Sequence, residues 1–137
     1  MTELSAADKW LYTTLSGDAA LAAIVGTRVY DTLAPEGSAF PCVVFSYQGG
    51  HDVHTNGPGR VMVSALYQVK VIGKDGAFSE LTSAAERIDE LLHARHGSNT
   101  DGLAWAVREQ PIKYMETDSG VRYYHLGGLY RIYVMEA

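Results

Sequence analysis

Cysteine is nearly absent from this sequence, since Cys42 is the only one in the chain. A single cysteine excludes an internal disulfide and a cysteine-based metal site within one chain. Because Cys42 follows Pro41 at the start of an apolar segment, we expect it to be a small buried side chain. The start of the chain, residues 1–4, lacks the basic and then apolar pattern of a secretion signal, so we expect a soluble protein of a reducing compartment.

Long apolar runs and clusters of basic residues are also missing. No apolar run approaches the roughly 20 residues of a membrane span. The formal net charge is −5, and proteins that wrap nucleic acid bind its phosphates with clustered lysine and arginine, so such binding is not expected as the main function. With 47% hydrophobic and 20% charged residues, the composition is that of an ordinary globular protein. These properties predict a single domain spanning residues 1–137.

The longest regular pattern is an alternating segment, residues 61–72, which predicts a central β-strand. Successive side chains of a strand point to opposite faces. One face is apolar throughout and should lie on the core. It consists of Val61, Val63, Ala65, Tyr67, Val69 and Val71. The other face is mixed, as expected of a surface that is partly wet or covered by another subunit.

Helical patterns precede and follow this strand. An amphipathic helix is predicted over residues 2–15, and a short helix over residues 19–25, with Asp18 as its N-cap and Gly26 as the residue that ends it. Apolar residues at helical spacing predict a longer helix over residues 77–95, which would cover the apolar face of the strand.

Four further segments are predicted to be extended. They are a short piece at residues 28–30, Cys42–Gln48, residues 103–116 with a bulge or a sheet edge at Pro111, and residues 121–135 with an interruption at Gly127-Gly128. The predicted fold class is therefore α+β: a mostly antiparallel sheet of about four main strands, on which the helix after the central strand and the N-terminal helices pack.

The polar segment Gly49–Arg60 is predicted to be a long loop at the tip of a β-hairpin, because it contains four glycines and a proline. Its H-x-x-H pair, His51 and His54 with Asp52 between them, can suggest a metal site. Zinc needs three or four rigidly held ligands, which such a loop does not supply, so neither a metal nor another cofactor is expected.

No catalytic pattern accompanies these residues. The nucleophile motif G-x-S-x-G and the phosphate loop G-x-x-x-x-G-K-[ST] are both absent from the sequence. Nine tyrosines, most of them in predicted strands, favour protein–protein contact instead, because their rings combine apolar area with a polar tip. We therefore expect that the protein is not an enzyme.

Four segments occur in a fixed order that is moderately specific. They are Leu11–Leu21 followed by Val25-Gly26-Thr27-Arg28-Val29-Tyr30; Ala34–Gly37 leading to Phe40-Pro41-Cys42-Val43-Val44-Phe45; His54-Thr55-Asn56-Gly57-Pro58 entering the long strand and its helix; and two aromatic C-terminal strands. Over nearly the full length this order resembles the tail terminator or tail completion proteins of long-tailed phages. Gly26, Arg28, Pro41 and Gly57 match the family pattern most clearly, and we interpret them as structural.

The resemblance implies a ring, usually of six subunits, that sits on the last ring of the tail tube, stops its polymerisation and joins tail to head. The implied partners are other copies of the chain, the tail tube protein and a head completion or neck protein. Genome DNA would only pass non-specifically through the ring, and no membrane is involved. The implied location is the virion tail or neck, and the host cytoplasm during assembly. No catalytic residues are implied.

We place the partner contact of such a ring in the predicted loop, because of its length, polarity and projection at a hairpin tip. The expected interface residues are His51, Asp52, Val53, His54, Thr55, Asn56 and Arg60. Two other functions stay open. One is a head completion or adaptor protein on the portal side, and the other is a small α+β ligand-binding domain or enzyme that uses His51, His54 and nearby acids.

Overall fold

The computed structural model describes residues 2–136 of the chain. The helices are α1 (Glu3–Ser16), α2 (Ala19–Val25) and α3 (Thr82–Leu92), and a short 3-10 helix (Phe78–Glu80) precedes α3. The strands are β1 (Val29–Asp31), β2 (Cys42–His54), β3 (Arg60–Lys74), β4 (Arg95–Asn99), β5 (Gly102–Asp118) and β6 (Val121–Glu136). They form one sheet in the order β1-β2-β3-β6-β5-β4.

The predicted fold class is wrong in both the number of strands and the kind of sheet. The sheet has six strands rather than about four, and it is mixed, because β1 runs parallel to β2. A parallel neighbour needs a crossover, which residues 32–41 provide. The second additional strand, β4, lies where the sequence predicts the end of a helix. Its sequence, R-H-G-S-N, has no strand pattern, and it becomes a strand by pairing with β5.

The helix predicted over residues 77–95 is consequently shorter than expected. Its α-helical part ends at Leu92, and His93 is already extended. Ala94 then has a positive φ of 58°, which turns the chain into β4. The apolar stripe was correctly identified, because Leu81, Ile88 and Leu92 are all buried.

The long loop predicted between residues 49 and 60 is mostly strand. β2 continues to His54 and β3 begins at Arg60, so only residues 55–59 lie outside the ladder. The glycines have another role here: Gly49, with a φ of +130°, follows a bulge in β2, and the Cα of Gly50 lies too close to the backbone of β3 for any side chain. Gly49 and Gly50 therefore mark a bulge and a close strand approach, whereas Gly57 and Gly59 lie in the loop at the tip.

Two predictions for the C-terminal strands have different outcomes. A bulge lies between Arg108 and Gln110, next to Pro111, as expected. The interruption predicted at Gly127-Gly128 is wrong, since the register of β6 with β3 is continuous there. A Cβ on Gly127 would collide with the carbonyl oxygen of Val69, so this glycine permits close strand contact.

The main core lies between the helices and one face of the sheet. The apolar face predicted for β3 is confirmed there, because its side chains from Val63 to Val71 are buried, and only Val61 at the start of the strand is exposed, at 44%. The N-terminal helix contributes Ala7, Leu11 and Leu15 to the same cluster. A smaller cluster on the opposite face contains Cys42, Val44 and Ile72.

Cys42 is buried, as predicted, within this smaller cluster. Burial raises the pKa of its thiol to about 11. Phe40 and Tyr30 pack against the cluster, so the crossover segment covers this corner of the second face.

Two tyrosines lie side by side at the centre of the main core. Tyr67 on β3 and Tyr130 on β6 are cross-strand partners, and each is almost completely buried. The Tyr67 hydroxyl donates a hydrogen bond to Asp8 Oδ1 on α1 at 2.7 Å, and the Tyr130 hydroxyl donates one to Asp89 Oδ1 on α3 at 3.0 Å. Each hydroxyl therefore positions one of the two longer helices on the sheet.

A bidentate ion pair joins α3 to the start of α2. Arg87 on α3 donates to both carboxylate oxygens of Asp18, at 2.9 and 2.6 Å, while Asp18 caps α2 by accepting from the backbone N–H of Leu21. The hydrogen bonds from Arg87, with the cap, lower the pKa of Asp18 to about 2. Asp18 was correctly predicted as the N-cap, but its partner 69 residues away in sequence was not.

Replacing either buried tyrosine with phenylalanine should destabilise the protein by about 1–2 kcal/mol, because a half-buried aspartate then loses its hydrogen-bond donor. Tyr67→Phe should also raise the pKa of Asp8 further, since burial already raises it and the tyrosine hydroxyl opposes that shift. Urea unfolding and NMR titration of Asp8 measure the two effects. Tyr12→Phe is the matched control, because Tyr12 is half exposed on α1. An equal loss in all three variants would contradict this interpretation.

Asp18→Asn should remove stability that depends on pH. Because the folded pKa of Asp18 lies near 2, below the usual 3.8, its contribution is present above about pH 4 and is lost as the pH falls toward 2. The variant should therefore unfold more easily at pH 7 and approach the native protein near pH 2. Thermal unfolding at several pH values measures this, with Glu86→Gln, an exposed acid on α3, as the control. A constant difference across the pH range would refute the ion pair as the cause.

Candidate interaction surfaces

The helices cover one face of the sheet and leave most of the second face open. The crossover segment, residues 32–41, covers only the corner near the start of β2. Strand alternation and register place side chains of β3, β5 and β6 on the remainder of this face. We call it the open face, because no helix of residues 2–136 packs on it.

An apolar patch lies on the open face where β5 begins and β6 ends. Leu103 opposes Met135, and Trp105 opposes Tyr133. The rings of Trp105 and Tyr133 stack with their centroids 5.3 Å apart, and Trp105 remains 45% exposed. We call these four residues the aromatic patch. Contiguous exposed apolar side chains of this kind are typical of protein interaction surfaces.

The sequence contains a signal for this patch that our interpretation did not use. In Leu103-Ala104-Trp105-Ala106 the small residues alternate with large ones. Ala104 and Ala106 are buried beneath the helices, whereas Leu103 and Trp105 are exposed on the other face. An alternation with alanine on the core side and a large apolar residue on the outer side is therefore an indication of a second contact surface.

A second pair of stacked side-chain rings lies at the opposite end of the open face. The rings of Tyr114 and His125 lie 4.3 Å apart and nearly parallel, and the Lys70 ammonium donates to the Tyr114 hydroxyl at 2.6 Å. Burial, together with the charge of Lys70, lowers the pKa of His125, although its hydrogen bond with Glu116 opposes the shift. His125 is thus held as part of a packed stack on the surface of the sheet.

The predicted interface residues lie on the β2–β3 hairpin but do not share one face. Register places His51 and Val53 on the open face, and Asp52 on the helix side. Thr55 closes the tip, because its hydroxyl donates to the Gly59 carbonyl at 3.1 Å and accepts from the Gly57 N–H at 3.2 Å. His54 and Asn56 are exposed at the same end of the hairpin.

Arg60 has a structural role that the sequence did not indicate. Its guanidinium lies 2.5 Å from the carboxylate of Glu3, 3.4 Å from that of Glu136 and 3.9 Å from that of Asp52. Glu3 is only 4% exposed, so it needs a cation close by. Arg60 therefore ties the hairpin to the first turn of α1 and to the end of β6.

The pair of histidines in the β2–β3 hairpin is not part of a metal-binding cluster in the described part of the chain. Residues 2–136 contain no group of three or more His, Cys, Asp or Glu that could hold a metal ion. A cavity of about 710 Å³ lies between the crossover segment and the β5–β6 hairpin, and both lysine and acidic side chains line it. Within the same residues, no helix is long and apolar enough to span a membrane.

Comparison with known proteins agrees with the resemblance found in the sequence. A family model described as "Tail completion protein gp17" matches residues 9–133. A chain in the solved structure "Virion of native gene transfer agent (GTA) particle" has a similar fold, with a TM-score of 0.60 and 22% sequence identity. That similarity covers 95% of this chain and 96% of the other.

Arg60→Gln should lower the thermal midpoint and increase hydrogen exchange at the hairpin tip, because Glu3 is left buried without its nearest cation. Glu3→Gln in the same chain should recover much of the loss, since the uncompensated buried charge is removed. Arg122→Gln, at an exposed arginine of β6, is the control. If the double variant is as unstable as the sum of the two single variants, the ion pair is not the reason.

Proposed function

Because the chain belongs to the family of tail completion protein gp17, we propose that it forms a ring of six subunits that caps the tail tube and ends its polymerisation. It is a structural protein of a phage tail or neck, and this places it in the virion. We further propose that the whole chain, residues 1–137, acts as one domain and works by assembly rather than by catalysis.

The observation that carries this proposal is the open face with its aromatic patch. A stack of Trp105 on Tyr133 that stays exposed is costly for a subunit that remains alone, and burial in an assembly removes that cost. The match in fold to a chain from a gene transfer agent virion is consistent with a place in such a particle.

The proposed partners are other copies of the chain, the tail tube protein and a head completion or neck protein. The net charge of −5 is compatible with a channel that DNA crosses without binding. The β2–β3 hairpin remains the proposed contact with a neighbouring subunit or the tube. Its residues His51, Asp52, Val53 and His54 lie on strands that cross-strand pairing makes rigid, and a rigid element loses little entropy on binding.

The decisive experiment adds the purified protein to tubes assembled from the cognate tail tube protein and images the tube ends by electron microscopy. We expect rings at one end only, and tubes that no longer elongate. Bare ends on tubes that continue to grow would contradict the proposal. Binding to the portal complex instead would then identify a head completion protein.

A second prediction separates the hairpin tip from its strands. Replacing residues 55–59 with a two-residue Asn-Gly turn, which suits a tight hairpin, should leave the protein folded but reduce its binding to tube ends by at least about tenfold. Circular dichroism and tube pelleting measure folding and binding. Full binding by this variant would exclude the tip as a contact, and Ser119→Ala, in the β5–β6 turn, controls for changes at the other hairpin.

A further inference from the structure

Two strands of the sheet have outer edges that are only partly paired. β1 pairs with Val43–Phe45 of β2 and leaves Ser46–His54 without an outer neighbour. β4 pairs with Gly102–Ala106 of β5 and leaves residues 107–118 without one. Within residues 2–136, both segments therefore present backbone N–H and C=O groups that no further strand covers, and such edges are templates for pairing with another chain.

We propose that the free edge of β5 in one subunit pairs with the free edge of β2 in the next copy of the chain. This inference rests on the proposed ring and specifies the contact that would close it. The occupant of each edge is a second copy because the two free edges lie on opposite sides of the same sheet, which is the arrangement of a head-to-tail interface.

Strand direction supports this pairing. From β2 through β3 and β6 to β5, every neighbouring pair is antiparallel, so β2 and β5 run in opposite directions. Rotation about a ring axis does not change the direction of a strand along that axis, so β2 has the same direction along the axis in every copy. Its β2 therefore meets β5 of the first copy in antiparallel orientation, and the ladder continues without a change of type.

The positions of the two edges along the strands also fit. The free part of β2 lies next to the hairpin tip, where β5 begins, whereas the free part of β5 lies toward the β5–β6 turn, where β2 begins. Pairing them displaces each copy along the strand direction relative to its neighbour. A stagger of this kind is what closing a sheet upon itself requires.

One register matches the side chains as well as the backbone. It places Asp52 of one copy opposite Lys113 of the next, on the helix side of both strands. In the same register Val53 opposes Ile112, and their side chains both point to the open face.

The neighbouring pair in this register is His51 with Tyr114, which also share the open face. The free segment Ser46–His54 then runs beside Pro111–Asp118 and stops short of both β1 and β4. Pro111 falls at the end of this paired region, and the bulges near Gln48 and Glu109 restrict slippage to other registers.

The charges of the central pair are available for this contact. No carboxylate of residues 2–136 lies within ion-pair distance of Lys113, whose ammonium instead lies over the Phe78 ring, 4.7 Å from its centroid. Asp52 is exposed, and its carboxylate lies as far as 3.9 Å from the guanidinium of Arg60, because the closer partner of Arg60 is Glu3. Opposite charges across a subunit boundary favour one partner and one register.

Cysteine cross-linking on rings at tube ends tests the register. The variant with Val53→Cys and Ile112→Cys should give a ladder of cross-linked species up to the full ring with a short thiol-specific reagent. The matched control combines Val53→Cys with Val107→Cys, which lies on the same strand and face but several residues away. The native Cys42 is fully buried, and the unchanged protein reports any reaction there. Equal cross-linking in both pairs, or none in the first, would overturn the proposed register.

Charge reversal tests the same contact through complementation. Asp52→Lys and Lys113→Asp should each raise the concentration needed for ring formation by about tenfold, because each places like charges opposite one another. An equal mixture of the two variants should assemble normally, since every boundary of an alternating ring then joins a lysine to an aspartate. Failure of the mixture, with both variants folded, would contradict the Asp52–Lys113 pair.

These outcomes can be told apart from failure of the proposed function. Rings at tube ends that do not cross-link through Val53 and Ile112 would refute this interface and leave the terminator role intact. Absence of rings from the unchanged protein would refute the proposed function itself.

Discussion

The structure depends on the buried pair of tyrosines at the middle of the sheet. Tyr67 and Tyr130 belong to the two central strands, and each hydroxyl reaches a carboxylate on a different helix. A buried hydroxyl or carboxylate without a partner is costly, so these two bonds limit where α1 and α3 can lie. Both helices are thereby held on the same face of the sheet, and Asp18 with Arg87 connects α2 to that layer.

Because the helices all lie on one face of the sheet, most of the other face stays open. The sheet then has an open face that carries the Trp105–Tyr133 stack. Because β1 and β4 are short, no further strand of residues 2–136 covers the outer edges of parts of β2 and β5. Cross-strand pairing holds the exposed side chains of the sheet in position, so ordering them in a contact would cost little entropy. The family to which the chain belongs has such a structural role.

Predictions that rested on local sequence patterns were correct for the central strand and its helix. The alternation over residues 61–72 identified a core strand, and the helical stripe that includes Ile88 identified its cover. Glycine was misleading. Gly49 lies at a bulge within β2 rather than in a loop, and Gly127 permits a close approach of two strands rather than interrupting β6. β1 matches the short extended segment predicted at residues 28–30, but its parallel pairing with β2 was not predicted. β4 was missed because it has too few residues to show a period, and only pairing with β5 makes it a strand.

The sequence by itself determined the main elements, the buried face of β3, the cap at Asp18 and the family resemblance. Each of these depends on patterns formed by residues that are close together in the chain. Tertiary structure alone decided which face stays open, which edges remain unpaired and that Arg60 holds the buried Glu3. The physical reason is that these properties arise from contacts between residues far apart in sequence, and their partners are chosen by packing and desolvation rather than by local periodicity.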